Sequence, residues 1–236
     1  FVGTVVDKND IVEDTSAHTA WYDKNPDATE FEIKTENDFL GIAVKVDEGV
    51  TFKNKTIKLA KDMDMNKEWI APETATEEFT VPDITWTPIG NNTTKFQGTF
   101  DGQGHTISGL YGISTKSMVS FFGETGTGSV VKNLKITNSY FEAEKQKSES
   151  WGIVGGVVAK SSGTIDTVYS DAYLVNSGTV TGGIVGMMRI TAKTEAQCMI
   201  RNCWYNGKIT ANGTTGGILG TIYGCEANVE NCLSTA

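Results

Sequence analysis

Four glycines, Gly123, Gly155, Gly186 and Gly220, recur at spacings of 32, 31 and 34 residues inside the related stretches SFFGETG, GIVGGVV, GGIVGMM and GGILGTI. A second series interleaves with them: VKNLKITNSY from Val131, IDTVYSDAYL from Ile165, IRNCWYNGKI from Ile200 and VENCLSTA from Val229. Self-similarity at a fixed period of roughly 20–50 residues marks an array in which each unit buries its apolar face only against its neighbours. Each unit reads as a glycine-flanked apolar strand, a variable crossing and a second strand ending near an Asn-Gly turn.

The period and composition select among repeat architectures. Helical solenoids need a 3.6-residue periodicity, whereas these units are short β-rich runs broken by Gly and Asn. A propeller blade needs roughly 40 or more residues in four antiparallel strands. A right-handed parallel β-helix fits, with equivalent residues of successive coils stacked at strand spacing. The stacking predicts columns. Val131, Ile165, Ile200 and Val229 form one inward aliphatic column, and Leu134, Val168, Cys203 and Cys232 another. Between them Asn133, Thr167, Asn202 and Asn231 occupy a bend where asparagines can hydrogen-bond coil to coil, with Thr167 interrupting the ladder. Glycines at the GIVG strands and in FDGQGHTISGL, the first regular coil, mark tight turns with little room for side chains.

The pattern differs before residue 90. FEI reads as a short strand, and Thr35 with Asp38 forms a capping box for a helix over about residues 36–48 whose apolar face is Phe39, Leu40, Ala43 and Val44. Ile57 and Leu59 alternate as a strand. A helix and a strand at the start of a solenoid are what a cap requires, because the first coil otherwise exposes an unpaired edge. The expected organisation is a linker or the tail of a preceding domain over 1–20, with a possible strand at Val2–Val6, a one-helix α/β cap over 21–90, and β-helix repeats over 91–236. The start at Phe1 without a leader and the broken last repeat at Ala236 read as a fragment of a longer array.

The order AWYDKNPDATEFEIKTENDFLGIAVKVDEGVTFKNKTIKLAKDMDM, then WTPIGNNTTKFQGTFDGQGHTISGLY, then GGIVG repeats resembles the bacterial surface proteins that contain GLUG-motif repeats, over about residues 20–236. The WTPIG…GTFDGQGHTI block is its most specific part. The resemblance implies an exported, multi-domain bacterial surface protein, and it brings no catalytic residues with it.

Charge and cysteine usage narrow the chemistry. A net charge of -9 with only two arginines, Arg189 and Arg201, offers no basic face for nucleic acid. No apolar run is long enough to cross a bilayer in this fragment. Cys198, Cys203, Cys225 and Cys232 form no CxxC and have no histidine near them in sequence, so they read as buried thiols, with a Cys198–Cys225 disulfide as the alternative. Acidic residues of the repeats, among them Glu124, Asp171 and Glu226, stand singly. No column gathers the two carboxylates a glycoside hydrolase needs, and neither arginine has an evident companion for lyase chemistry.

Two stretches offer candidate binding sites. Asp62, Asp64, Asn66 and Glu73 sit at positions 1, 3, 5 and 12 of an EF-hand-like loop, but Lys67 replaces the glycine that its turn needs. Period-2 alternation instead turns Met63 and Met65 inward. Tyr169 and Trp204, one position past the inner column, can stack on the outer face and hold a sugar ring, or pack beneath a crossing loop, the reading preferred here. Trp21, Trp69, Trp86 and Trp151 read as core or cap residues, and His105 as a hydrogen-bonding strand residue, since no nucleophile accompanies it. The sequons at Asn54, Asn91, Asn92 and Asn212 matter only in a glycosylating pathway. The expected function is a non-enzymatic extracellular module for adhesion or display, without a cofactor. Its partners would be a host or cell-surface glycan or protein and other domains of the same chain. The alternative is a carbohydrate-binding or polysaccharide-degrading β-helix.

Overall fold

The computed structural model of the protein describes residues 16–74, 78–114, 118–144, 152–190 and 198–236. The strand expected at Val2–Val6 and Trp151 lie outside them. From Thr99 to Tyr223 each coil carries the chain through four parallel sheets and returns it one strand spacing along a common axis. The longest path runs through Glu30–Ile33, Thr56–Leu59, Thr99–Asp101, Val130–Thr137, Thr164–Ser170, Cys198–Arg201 and Ala227–Glu230. The other three sheets hold four strands each, represented in one coil by Tyr140–Ala143, Ile153–Gly155 and Val158–Ser161. Among the described residues no helix is long and apolar enough to cross a membrane. The fold is a parallel β-helix.

The columns stand in register. Phe31, Ile57, Phe100, Val131, Ile165, Ile200 and Val229 are successive partners. All but the last are buried. At the bend, Asn133, Thr167, Asn202 and Asn231 all take left-handed φ values, 54°, 56°, 55° and 49°. Asparagine tolerates that conformation, while a β-branched threonine is strained in it. The ladder does break at Thr167. Asn231 Nδ2 donates to Asn202 Oδ1 at 3.4 Å, but Asn202 Nδ2 turns to Asp166 Oδ1 at 3.0 Å and Asn133 Nδ2 to Asp101 Oδ1 at 3.1 Å. The GGIVG glycines are steric. A Cβ on Gly182 would lie 1.8 Å from the Val185 carbonyl oxygen, and one on Gly183 2.0 Å from the Gly217 carbonyl oxygen of the next coil.

The N-terminal end departs from expectation in three ways. Helix α1 covers Ser16–Asp23, part of the stretch read as linker. Its polar residues conceal it, and Trp21 and Tyr22 anchor it on Phe31 at ring separations of 5.3 and 5.2 Å. Helix α2 covers Glu36–Asp47 with the Thr35–Asp38 capping box, yet its buried face is Phe39, Ile42, Ala43 and Val46, with Leu40 and Val44 half-buried. The face is rotated because α1 packs against Gly41, where a Cβ would lie 1.9 Å from the His18 carbonyl oxygen. Lys45 joins the two helices through Asp23 and Glu48, each at 2.7 Å. Finally, the sheet continues across residue 90 without a break: the strands Glu30–Ile33 and Thr56–Leu59 are its first rungs.

Candidate functional site

The outer face of the seven-rung sheet is laid down by the same register. One position beyond the inner column, Glu32, Lys58, Asp101, Lys132, Asp166, Arg201 and Glu230 follow one another, alternating in sign at every rung. Lys132 Nζ lies 3.2 Å from Asp101 Oδ2 and Arg201 Nη2 2.8 Å from Asp166 Oδ2. Arg201, which lacked a companion in the sequence, has one here. Burial works to raise the Asp101 carboxyl, but the Gln103 N–H, the Asn133 amide and Lys132 outweigh it and hold it below the usual carboxylate range. Asp166 is likewise held low, burial being outweighed by Arg201, Asn202 and Thr167. A cation between each two carboxylates is a poor arrangement for glycoside hydrolysis, which needs two carboxyl groups facing one bond.

Past the left-handed bend the outer column holds Thr106, Lys135, Tyr169, Trp204 and Leu233. The Tyr169 and Trp204 rings meet edge to face at 5.2 Å. The Tyr169 hydroxyl reaches Asp171 Oδ2 at 3.3 Å and Trp204 Nε1 donates to Thr235 Oγ1 at 3.2 Å. No described crossing segment covers Trp204: it is 44% exposed, and Tyr169 is half-buried. Trp204 therefore stands partly in solvent, while Tyr169 keeps much of its surface packed. The two rings help line a groove of about 550 Å³ with Gln103, Asn133, Lys135 and Thr167.

A crossing segment does cover a different aromatic column. Tyr111, Tyr140 and Tyr173 stack on the neighbouring sheet at 6.0 and 5.6 Å. Trp69 closes on Tyr111 at 5.6 Å and Phe79 on Tyr140 at 5.4 Å. Asn138 clamps this segment, accepting from Ala71 N at 2.8 Å and donating to the Trp69 carbonyl at 2.6 Å. The three tyrosines recur in sequence at the repeat period, the signal that would have revealed them.

The proposed calcium ligands do not converge. Met63 and Met65 are buried in the core. Asp62 Oδ1 accepts from Thr106 N at 2.9 Å and lies 3.1 Å from His105 Nδ1, and the Thr106 N–H holds its carboxyl low despite some opposing burial. Asn66 is turned inward, donating to the Ile84 and Gly109 carbonyls at 2.8 Å each and accepting from Ile84 N at 3.0 Å. Asp64 lies by Gly109, and Glu73 sits in the covering segment, where its carbonyl accepts from Lys208 Nζ at 2.8 Å. Among the described residues no group of three or more His, Cys, Asp or Glu could hold a metal ion. Among the described hydrogen bonds, the His105 ring meets only Asp62, with no hydroxyl or thiol to activate. Sequence reasoning also left Glu124 as a scattered acid. Its buried carboxylate lies 2.7 Å from Lys95 Nζ and 2.6 Å from Lys160 Nζ.

No family model matches the chain. It is 32% identical over 84 residues to a candidate Gly-rich membrane protein of Evansella cellulosilytica, covering 35% of this chain and 9% of that protein. Against halomucin of Haloquadratum walsbyi it is 30% identical over 185 residues, 76% of this chain and 2% of that protein. The chain thus spans under a tenth of the length of these curated relatives. A crystal structure of a candidate immunoglobulin A1 protease from Bacteroides ovatus superposes with a TM-score of 0.60 over 88% of this chain and 66% of that one, at 18% identity. At that identity the likeness carries the fold and no chemistry.

Proposed function

We propose that the chain is a non-catalytic, extracellular module of a larger bacterial surface protein, a stacked rod serving adhesion or display. The observation that carries this reading is the outer face of the long sheet. Its charges neutralise one another rung by rung, which leaves Trp204 and Leu233, with the half-buried Tyr169 beside them, as its apolar contact surface. The length of halomucin and the membrane designation of the Evansella protein support a place in a long, cell-surface chain. The GLUG-repeat resemblance supports the same placement. Adhesion would be to a glycan or protein of a host or neighbouring cell.

The second reading is carbohydrate binding at the groove, favoured by Trp204, since an exposed aromatic ring can stack on a sugar face. A polysaccharide-degrading activity has less support because the carboxylates on this face are separated by cations. A glycan array probed with the purified protein, with and without Ca²⁺, separates these readings. Glycan binding that Trp204→Ala and Tyr169→Ala abolish favours the carbohydrate module. Binding only to a protein receptor favours protein adhesion. Release of reducing ends from any polysaccharide would overturn the non-catalytic reading.

A further inference from the structure

The last coils bring the four cysteines into two stacked pairs. Cys198 opens the strand Cys198–Arg201, and Cys225 stands just ahead of Ala227–Glu230, which pairs with it in the register Cys198↔Ala227. Their Sγ atoms lie 3.6 Å apart. Cys203 and Cys232 precede the register partners Trp204 and Leu233, but each thiol is turned to a carbonyl, that of Arg201 and that of Glu230, both at 3.1 Å. From this geometry we infer that Cys198 and Cys225 form a redox-linked modification site, closing to a disulfide that fastens the final coil to the one beneath it when a small-molecule disulfide is present.

The exchange balances. Cys225 is half-buried and Cys198 fully buried, so the reagent meets Cys225 first. The Cys225 thiol gives its proton to solvent and attacks one reagent sulfur, forming a mixed disulfide and expelling one reagent thiolate, which takes up a proton. The Cys198 sulfur, deprotonated in turn, attacks the Cys225 sulfur and expels the second reagent thiol. Two protein thiols are oxidised and one reagent disulfide is reduced to two thiols. Burial, then the contact with Cys225, pushes the Cys198 thiol up to about 12, so the closing step accelerates as pH rises. Placement gives the bond its consequence. Val229 and Leu233 on the rung of Ala227–Glu230 are partly exposed, and a link between residues 198 and 225 restrains that rung against the one before it.

The test treats the reduced protein with oxidised glutathione, alkylates the remaining thiols, and reads intact mass and peptide linkage. The expected product has two of its four thiols consumed, a mass lower by about 2 Da before alkylation, and a peptide joining residues 198 and 225. It forms faster at about pH 9 than at about pH 7 and melts at a higher temperature than the reduced protein. Cys225→Ser is expected to block the link and Cys232→Ser to leave it intact, with circular dichroism confirming that both variants fold. Four persistent thiols, a reaction arrested at the glutathione adduct, or a Cys203–Cys232 bond instead would each overturn the inference.

Discussion

The first and last described rungs of the long sheet share the same columns but sit in different surroundings. At the N-terminal end Phe31 opens the inner column beneath α1, while Phe39 of α2 stacks on Trp86 and Phe121 at 5.1 and 5.6 Å. At the last described rung Val229 is 45% exposed, with Leu233 and Tyr223 also in solvent. A column's last residue has no neighbour above it and a sheet's last strand has an unpaired edge. Over the first rungs the two helices supply such neighbours. What a residue contributes here therefore depends on its rung as much as on its type.

The largest effect is expected over the first rungs. Phe39→Ala removes the ring on which the cap closes and should cost about 3–5 kcal/mol in urea unfolding. A loss under about 1 kcal/mol would mean that the cap is dispensable. The sharpest form of the comparison uses one residue type in one column. Val131→Ala should cost about 2 kcal/mol, since the side chain is buried on all sides, whereas Val229→Ala should cost less than about 0.5 kcal/mol. Equal losses would show that burial at a rung does not set what its residue contributes.

Smaller effects belong to the outer face. Thr167→Asn relieves a β-branched residue at φ 56° and restores the ladder amide, so it should stabilise by about 1 kcal/mol; destabilisation would show that the threonine hydroxyl's bond to Asp166 matters more. Lys132→Glu sets three carboxylates in a row and should cost about 0.5–1 kcal/mol, less in high salt. Asp101 and Asp166 add a pH signature. Their folded values lie below the unfolded value of about 3.9, so the stability they contribute is complete above that pH and is lost as pH falls through the folded values. Tm should be flat with respect to these two groups near neutrality and fall in acid, with a shallower fall in Lys132→Met.

Much of the fold was legible because a β-helix writes its contacts into its period. Ile165 and Ile200 had to be partners once the units were aligned, and they are. A recurring bend also followed from the asparagine column; that it is left-handed at all four positions, Thr167 included, is seen in the structure. The candidate groove was only half legible. Tyr169 and Trp204 fell on adjacent outer positions by counting, but whether a crossing segment lies over them depends on chain far away in sequence. It was Trp69 and Phe79 that did the covering, and they chose the Tyr111–Tyr140–Tyr173 column. The rotation of α2 was hidden for a similar reason, since its buried arc is set by α1 against Gly41 and not by its own apolar spacing.

The sequence by itself determined the winding, the register, and which side chains face inward, because residues one period apart must lie directly over one another. Only the tertiary structure decided which outward columns stay in water, where the buried Glu124 finds its two lysines, and how two helices pack over the first rungs. Those outcomes depend on segments that do not repeat, and a segment without a period carries no signal of where it will come to rest.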